Sequence, residues 1–175
     1  TKAVASSFSN ATVSGSSSSN STNSTTLNTF TSSILSQHNT YRSKHKVGSL
    51  SWDATIAATA QTQADSCVYG HPSNLKTGQN IFAGTGTSWT SKDASDSWYN
   101  EVTSYDFSNP GFSSSTGHFT QMVWKGTTKL GCAISTSCTG SQLGFGGIGS
   151  KSSYIVCNYM SPGNVQGLFL QNVLP

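Results

Sequence analysis

Charged residues are scarce in this chain of 175 residues, and their scarcity excludes several kinds of partner. Only 9% of the residues are charged, and six acidic residues against nine lysines and arginines give a formal net charge of +3. The one basic cluster, residues 41–46, falls where we expect a helix to end. A helix C-terminus attracts cations without any ligand, so we expect no nucleic-acid partner.

Long apolar runs and closely paired cysteines are also missing. No run is long and apolar enough to span a bilayer, and the N-terminus lacks the apolar segment of a signal peptide, which is expected of a mature or trimmed chain. The absence of a CxxC pair argues against a zinc knuckle or a redox motif. An even number of cysteines suits two disulfides and an oxidising compartment; they are Cys67, Cys132, Cys138 and Cys157.

The first 26 residues are mostly serine, threonine, asparagine and small residues. Their apolar area is too small to offset the entropy of ordering them, so we predict a disordered arm over 1–26 and a folded domain over 27–175. The arm carries three N-glycosylation sequons, at Asn10, Asn20 and Asn23. A glycosylated spacer and a simple solvated tail both remain open.

Hydrophobic periodicity predicts helices early in the chain and strands late. The predicted helices cover 27–45, a segment after an N-cap at Ser51, and Ser91–Val102 with Ser91 as cap. Residues 118–124 fit either a helix or a strand, and glycines divide 70–86 into loops. The predicted strands, 129–135 and 153–159, are joined by a Gly/Ser-rich hairpin over 139–150. This order favours an α+β layered fold.

Five short strings follow one another along the chain: HNTYR at 38–42, GHFTQMVW at 117–124, LGC at 130–132, IVCNY at 155–159 and GNVQG at 163–167. Together they resemble the motifs of the CAP superfamily, which comprises cysteine-rich secretory proteins, antigen 5 and the pathogenesis-related 1 group. The string at 98–112 looks most like secreted fungal and yeast members that bind sterols. The resemblance implies a three-layer α-β-α sandwich around a central antiparallel sheet, an extracellular location, and disulfides Cys67–Cys132 and Cys138–Cys157.

The resemblance also implies a cleft lined by two histidines and two glutamates. His71 and His118 match the histidines and Glu101 the second glutamate, whereas Gln79 stands in place of the first. Two imidazoles and a carboxylate are reasonable zinc ligands, but the amide removes a negative charge and a base. We expect at most weak binding of Zn²⁺ or another divalent cation. A polar cluster that shapes the cleft without metal is the alternative.

No catalytic residue is predicted. The sequence lacks GxSxG and HExxH, and bridging of all four cysteines would leave no thiol nucleophile. Hydrolysis is therefore the function that we expect least, and we predict that the chain is not an enzyme.

Three aromatic residues, Tyr105, Phe107 and Phe112, have the spacing of a caveolin-binding-like motif. Sterol-binding members of the resembled family carry such a motif on a mobile loop at this place. A turn at 109–111 can present the three rings outward together. Alternatively some of the rings, Tyr105 above all, close the core of the domain. The family also has a fatty-acid groove between helices, which the first and third helices could line here.

We therefore predict a secreted, monomeric glycoprotein that binds sterols or related small hydrophobic lipids, including fatty acids, for export or for sequestration at a host–pathogen interface. Two alternatives are an effector or signalling protein acting through a protein partner, and a weak metal-binding protein without a lipid role. Plant members release a peptide from a region that matches residues 157–164. We do not expect release here, because Pro162 lies one residue later than in the common pattern.

Overall fold

The computed structural model describes residues 19–146 and 149–175, with residues 19–28 described as backbone. Over these residues the chain forms five α-helices and four strands, in the order α1 (Ser19–Lys44), β1 (Ser51–Trp52), α2 (Ala54–Ser66), β2 (Gly78–Thr85), α3 (Ser91–Asn100), α4 (Gly117–Met122), β3 (Lys129–Thr139), β4 (Lys151–Met160) and α5 (Phe169–Asn172). A single 3₁₀ turn, Glu101–Ser104, follows α3 directly. Within these ranges no helix has the length and apolar character needed to cross a membrane.

The four strands form one sheet in the order β1-β3-β4-β2. Strands β2, β3 and β4 pair antiparallel, but β1 runs parallel to β3, so the sheet is mixed rather than wholly antiparallel as expected. Strand β2 lies where glycine content predicted loops. Two of these glycines instead allow a side chain to approach the backbone of the strand closely. A Cβ at Gly78 would lie 1.9 Å from Gln121 Oε1, and one at Gly84 would lie 2.4 Å from the Trp89 ring.

Strand β4 separates two hydrophobic cores, because successive side chains of a strand point to opposite faces. Ile155, Cys157 and Tyr159 pack in a large core with α1, α3 and α4. Tyr154 and Val156 pack in a smaller core against α2. Helices therefore cover both faces of the sheet, which confirms the predicted layered α+β sandwich.

The disulfides join Cys67 to Cys138 and Cys132 to Cys157, so the expected pairing was wrong. Cys132 lies directly opposite Cys157 in the β3–β4 register and faces the large core. Cys67 belongs to the smaller core on the other face of the sheet, so its side chain cannot reach that of Cys132. By the loop-entropy relation, loops of 71 and 25 residues correspond to about 4 and about 3.5 kcal/mol of stabilisation.

Several helix boundaries also differ from the predictions. Helix α1 begins at Ser19, eight residues before the expected boundary at 27. Residues 1–18 and the side chains of the sequon asparagines lie outside the described part of the chain. Propagating a formed helix costs little, which favours this extension. Asp53, not Ser51, caps α2 by accepting from the N–H groups of Thr55 and Ile56.

The cap of α3 lies one residue earlier than expected. Thr90 and Asp93 form a reciprocal capping box there, and α3 ends at Asn100 rather than at residue 102. The ambiguous segment after His118 is helical. The predicted hairpin over 139–150 lies between β3 and β4, although residues 147 and 148 are outside the described ranges.

Candidate functional site

Glu101 holds the beginning of α4. One carboxylate oxygen accepts from the backbone N–H of His118 at 2.9 Å and of Phe119 at 3.0 Å. The other lies 2.7 Å from His118 Nδ1. The first N–H groups of a helix have no partner within the helix, and a carboxylate placed there also interacts favourably with the helix dipole. Glu101 therefore caps the N-terminus of α4.

The contact with Glu101 also fixes the ring of His118. Because the carboxylate accepts from Nδ1, this nitrogen carries the proton and Nε2 is left for another partner. The ring stacks on Trp98, with 6.2 Å between centroids, and it is only partly exposed. The carbonyl of His118 accepts from the side chain of Asn80 on β2. A glutamate–histidine pair is thus oriented at the edge of the sheet.

Gln79 belongs to a separate network of amides. Its NH₂ group donates to Gln63 Oε1 at 2.7 Å and to Asn158 Oδ1 at 2.8 Å. These two bonds orient the amide so that Oε1 faces His71 Nδ1 at 2.9 Å. Asn158 in turn donates to the Ile56 carbonyl of α2. An amide suits this position better than a carboxylate, since a carboxylate has no N–H for the two acceptor oxygens.

The four cleft residues thus contact one another as two pairs, His118 with Glu101 and His71 with Gln79. Over residues 19–146 and 149–175, no group of three histidine, cysteine or acidic side chains is placed to hold a metal ion. Both oxygens of the single carboxylate already accept hydrogen bonds from α4 or His118. This donor set does not fit a zinc centre, and weak metal binding stays a prediction.

The aromatic segment does not present its three rings together, so that expectation was wrong. Tyr105 is buried against Phe107 and Phe119, with centroid distances of 4.9 and 5.5 Å. Burial is also the main reason that the pKa of Tyr105 is raised. Phe107 is half-buried and lies nearly parallel to the ring of His45. Tyr105 is a core residue, which is the alternative that the sequence left open.

Phe112 is the exposed member of the segment, with 57% of its surface accessible. A Cβ added at Gly117 would lie 3.0 Å from the Phe112 ring, so the ring rests on the residue just before His118. The intervening turn is closed by Asp106, which accepts from the N–H and hydroxyl of Ser108. The hydroxyl contact is the main cause of the lowered pKa of Asp106. The exposed ring of Phe112 therefore lies beside the start of α4, next to His118 in the chain.

The space between α1 and α3 offers little room for a fatty-acid chain. Tyr41 and Tyr99 stack there with 3.9 Å between centroids, and Lys44 lies over both rings. The Tyr41 hydroxyl donates to Asp96, which also pairs with Lys92. The remaining hollow is about 260 Å³, and the residues around it include Lys44, Lys92 and Asp96. The expectation of a lipid groove here receives no support from these contacts.

Sequence reasoning missed the structural role of two residues in the HNTYR string. The guanidinium of Arg42 is buried and donates to four backbone carbonyls, those of Gly48, Met122, Trp124 and Thr127. His38 is also buried and bonds the Tyr159 hydroxyl at 2.7 Å. The HNTYR string matched a family pattern, but the match did not indicate the hydrogen bonds that His38 and Arg42 make. The spacing of four residues between His38 and Arg42 was the available signal, since it places both on one helix face.

Comparison with known proteins defines the class of this fold and site. The profile of the cysteine-rich secretory protein family, CAP, matches residues 35–159. Protein PRY2 of Saccharomyces cerevisiae is 46% identical over 152 residues, which cover 83% of this chain and 41% of PRY2. Secreted protein PRY1 of Candida albicans is 39% identical over 150 residues, covering 83% of this chain and 32% of that protein. The chain belongs to the cysteine-rich secretory protein family.

The fold is shared with solved structures of the same family. A crystal structure of NaASP2 with Zn²⁺ superposes with a TM-score of 0.66 at 24% identity, covering 81% of this chain and 84% of that one. At this identity the likeness concerns the fold. The chain spans less than half the length of the two yeast relatives.

Proposed function

We propose that this domain binds a sterol or a related small hydrophobic lipid at the aromatic segment. The observation that carries the proposal is the exposed ring of Phe112, which rests against Gly117 at the start of α4, in the same segment as the half-buried Phe107. An apolar ligand that covers a large exposed aromatic side chain removes apolar surface from water, which favours binding. Tyr105 supports the segment from below and is not a ligand contact in this proposal.

The size of the effect follows from the burial of one ring. Covering a phenylalanine fully is worth about 1.5–3 kcal/mol, or about tenfold to a hundredfold in affinity. Phe112 is exposed and makes few core contacts, so its removal should leave folding intact. Phe107 packs on His45 and Tyr105, so its removal should affect both stability and binding.

The experiment measures binding of radiolabelled ergosterol and cholesterol to the purified protein. We expect saturable binding that Phe112→Ala weakens at least about tenfold without lowering the melting temperature. Leu170→Ala is the matched control, because Leu170 is 74% exposed on α5, outside the aromatic segment, and should have no effect. Binding unchanged by Phe112→Ala, or no binding at all by the folded wild type, would overturn the proposal and favour a protein partner.

The proposed lipid site needs neither metal nor catalysis. We propose that the cleft of His71, Gln79, Glu101 and His118 acts as a structural polar cluster, supported by the bonds that already occupy Glu101 and Gln79. The assay repeated with zinc tests this directly. A zinc-dependent rise in sterol binding would give the cleft a part in the mechanism.

We also propose that the protein is secreted and monomeric. Two disulfides favour an oxidising compartment, and a Candida albicans relative bears the name secreted protein. The oligomeric state is a prediction from the sequence. Light scattering coupled to size-exclusion chromatography of the purified protein tests it. Glycosylation of the arm is tested by the mass lost on treatment with a glycosidase.

A further inference from the structure

A second exposed aromatic feature lies where the segment after α2 meets the hairpin after β3. Tyr69 is 46% exposed and Phe145 is 45% exposed, and their rings meet edge to face with 6.0 Å between centroids. Val68 beside them is also exposed. We call Val68, Tyr69 and Phe145 the aromatic corner.

The two sides of the aromatic corner are held together covalently. Cys67 immediately precedes Val68, and Cys138 begins the segment that leads to Phe145, so the Cys67–Cys138 disulfide ties both walls to the smaller core. The Tyr69 ring also rests on the buried ring of Tyr154, 5.7 Å away. Rings that are fixed before binding lose little freedom when a ligand covers them.

The hairpin holds Phe145 outward. Leu143 is buried in the smaller core, while the backbone N–H of Phe145 bonds the Gly140 carbonyl at 2.8 Å. Gly144 and Gly146, on either side of Phe145, have φ of +82° and +72°, values that favour glycine. The backbone thus presents an apolar ring to solvent at a place where the neighbouring leucine is buried.

Two adjoining grooves run from the aromatic corner along the end of α2. One has a volume of about 470 Å³ between Val68, Tyr69 and the hairpin residues 142–145. The other, of about 360 Å³, shares Val68 and Tyr69 and continues past His71 to Pro72. Among the described residues that line these grooves none is aspartate, glutamate, lysine or arginine; the polar side-chain groups are two amides, two hydroxyls and one imidazole.

We propose that the aromatic corner and its two grooves bind a neutral oligosaccharide. The C–H faces of a pyranose ring pack on aromatic rings, and its hydroxyls exchange hydrogen bonds with amides and hydroxyls, which are the groups present here. Two grooves in line accommodate more than one sugar ring. A charged polysaccharide would find no counter-ion in the lining, and three exposed side chains are few for a protein interface that buries roughly 800 Å² per partner.

This site is independent of the proposed lipid site, so the two can be tested against each other. Titration calorimetry of the purified protein would use cellohexaose and chitohexaose, with hexagalacturonic acid as the charged comparison. We expect a neutral hexasaccharide to bind, and Phe145→Ala and Tyr69→Ala each to weaken binding at least about tenfold. Phe112→Ala is the matched control, because it removes an exposed ring elsewhere and should change ergosterol binding only.

Tyr69 packs on the core residue Tyr154, so Tyr69→Ala could lose stability. Phe145→Ala then decides, because its ring contacts the exposed Tyr69 and it lies outside both hydrophobic cores. The inference would be overturned if neither neutral hexasaccharide binds the wild type, if Phe145→Ala binds as the wild type does, or if hexagalacturonic acid binds more tightly. None of these outcomes depends on whether ergosterol binds.

Discussion

His38 is a buried histidine that folding keeps neutral. Its Nδ1 donates to the Ile34 carbonyl at 2.8 Å, and its Nε2 accepts from the Tyr159 hydroxyl at 2.7 Å. The pKa of His38 is lowered from 6.5 to about 4, mainly by burial; the bond to Ile34 partly opposes this shift and the charge of Arg42 adds to it. The Tyr159 hydroxyl also accepts from Asn80, which links His38 to the backbone of His118.

This residue should make the protein sensitive to acid. Between pH 6.5 and pH 4 the unfolded chain binds a proton at His38 that the folded protein does not, so stability falls as the pH falls through that window. A full shift of this size corresponds to about 3 kcal/mol. Chemical unfolding at pH 7 and pH 4 should show a smaller loss for His38→Gln than for the wild type. Equal losses in the two proteins would show that His38 does not supply this sensitivity.

Helix α4 depends on a residue outside it. It has six residues, its N-cap Thr116 makes no side-chain capping bond, and the carboxylate of Glu101 binds its first N–H groups instead. Since Gly117–Met122 also carries His118 and the buried Phe119, a loss at Glu101 should spread to the cleft and to the aromatic segment.

We expect Glu101→Gln to lower the free energy of unfolding by about 1–2 kcal/mol, because one oxygen acceptor and the negative charge at the helix N-terminus are lost. Asp65→Asn, at an exposed acidic residue of α2, is the control and should be close to neutral. Thermal melts with and without zinc provide the measurement. If Glu101→Gln melts as the wild type does while zinc stabilises only the wild type, then Glu101 is a metal ligand rather than a cap.

The elements that the sequence predicted well are those with strong local signals. Periodicity located α1, α2 and α3, and alternation located β3 and β4. Strand β2 was missed because the reason for its glycines, the approach of Gln121 and Trp89, comes from distant parts of the chain. The cleft residues were found by resemblance, but the roles of Glu101 and Gln79 depend on hydrogen bonds that no spacing reveals.

The disulfide pairing was unpredictable for a similar reason. Cys132 and Cys138 are six residues apart, so in a regular strand both would point to the same face. The register shift between Ser135 and Cys138 places two β3 residues, 136 and 137, against the single residue Ser153 of β4 and turns Cys138 to the α2 face. A β-bulge has a weak sequence signal, and this one decides which cysteines can meet.

At the scale of the whole molecule, the sheet carries one core on each face, and each core contains one disulfide. Cys132–Cys157 joins neighbouring strands in the large core, whereas Cys67–Cys138 joins α2 to the sheet in the small one. The small core has fewer aromatic residues and holds α2 by alanines such as Ala60 and Ala64. The α2 layer should therefore depend more heavily on its disulfide.

Removing each disulfide tests this arrangement. Cys67→Ala/Cys138→Ala should lower the free energy of unfolding by about 4 kcal/mol, and Cys132→Ala/Cys157→Ala by about 3.5 kcal/mol. In the first variant the backbone amides of α2 should exchange faster than in the wild type, since the bridge that anchors the helix is gone. In the second variant the amides of α2 should exchange more slowly than those of β3. Peptide mapping of the unreduced protein gives the pairing directly. A Cys67–Cys132 peptide would contradict the separation of the two cores, because these side chains lie on opposite faces of the sheet.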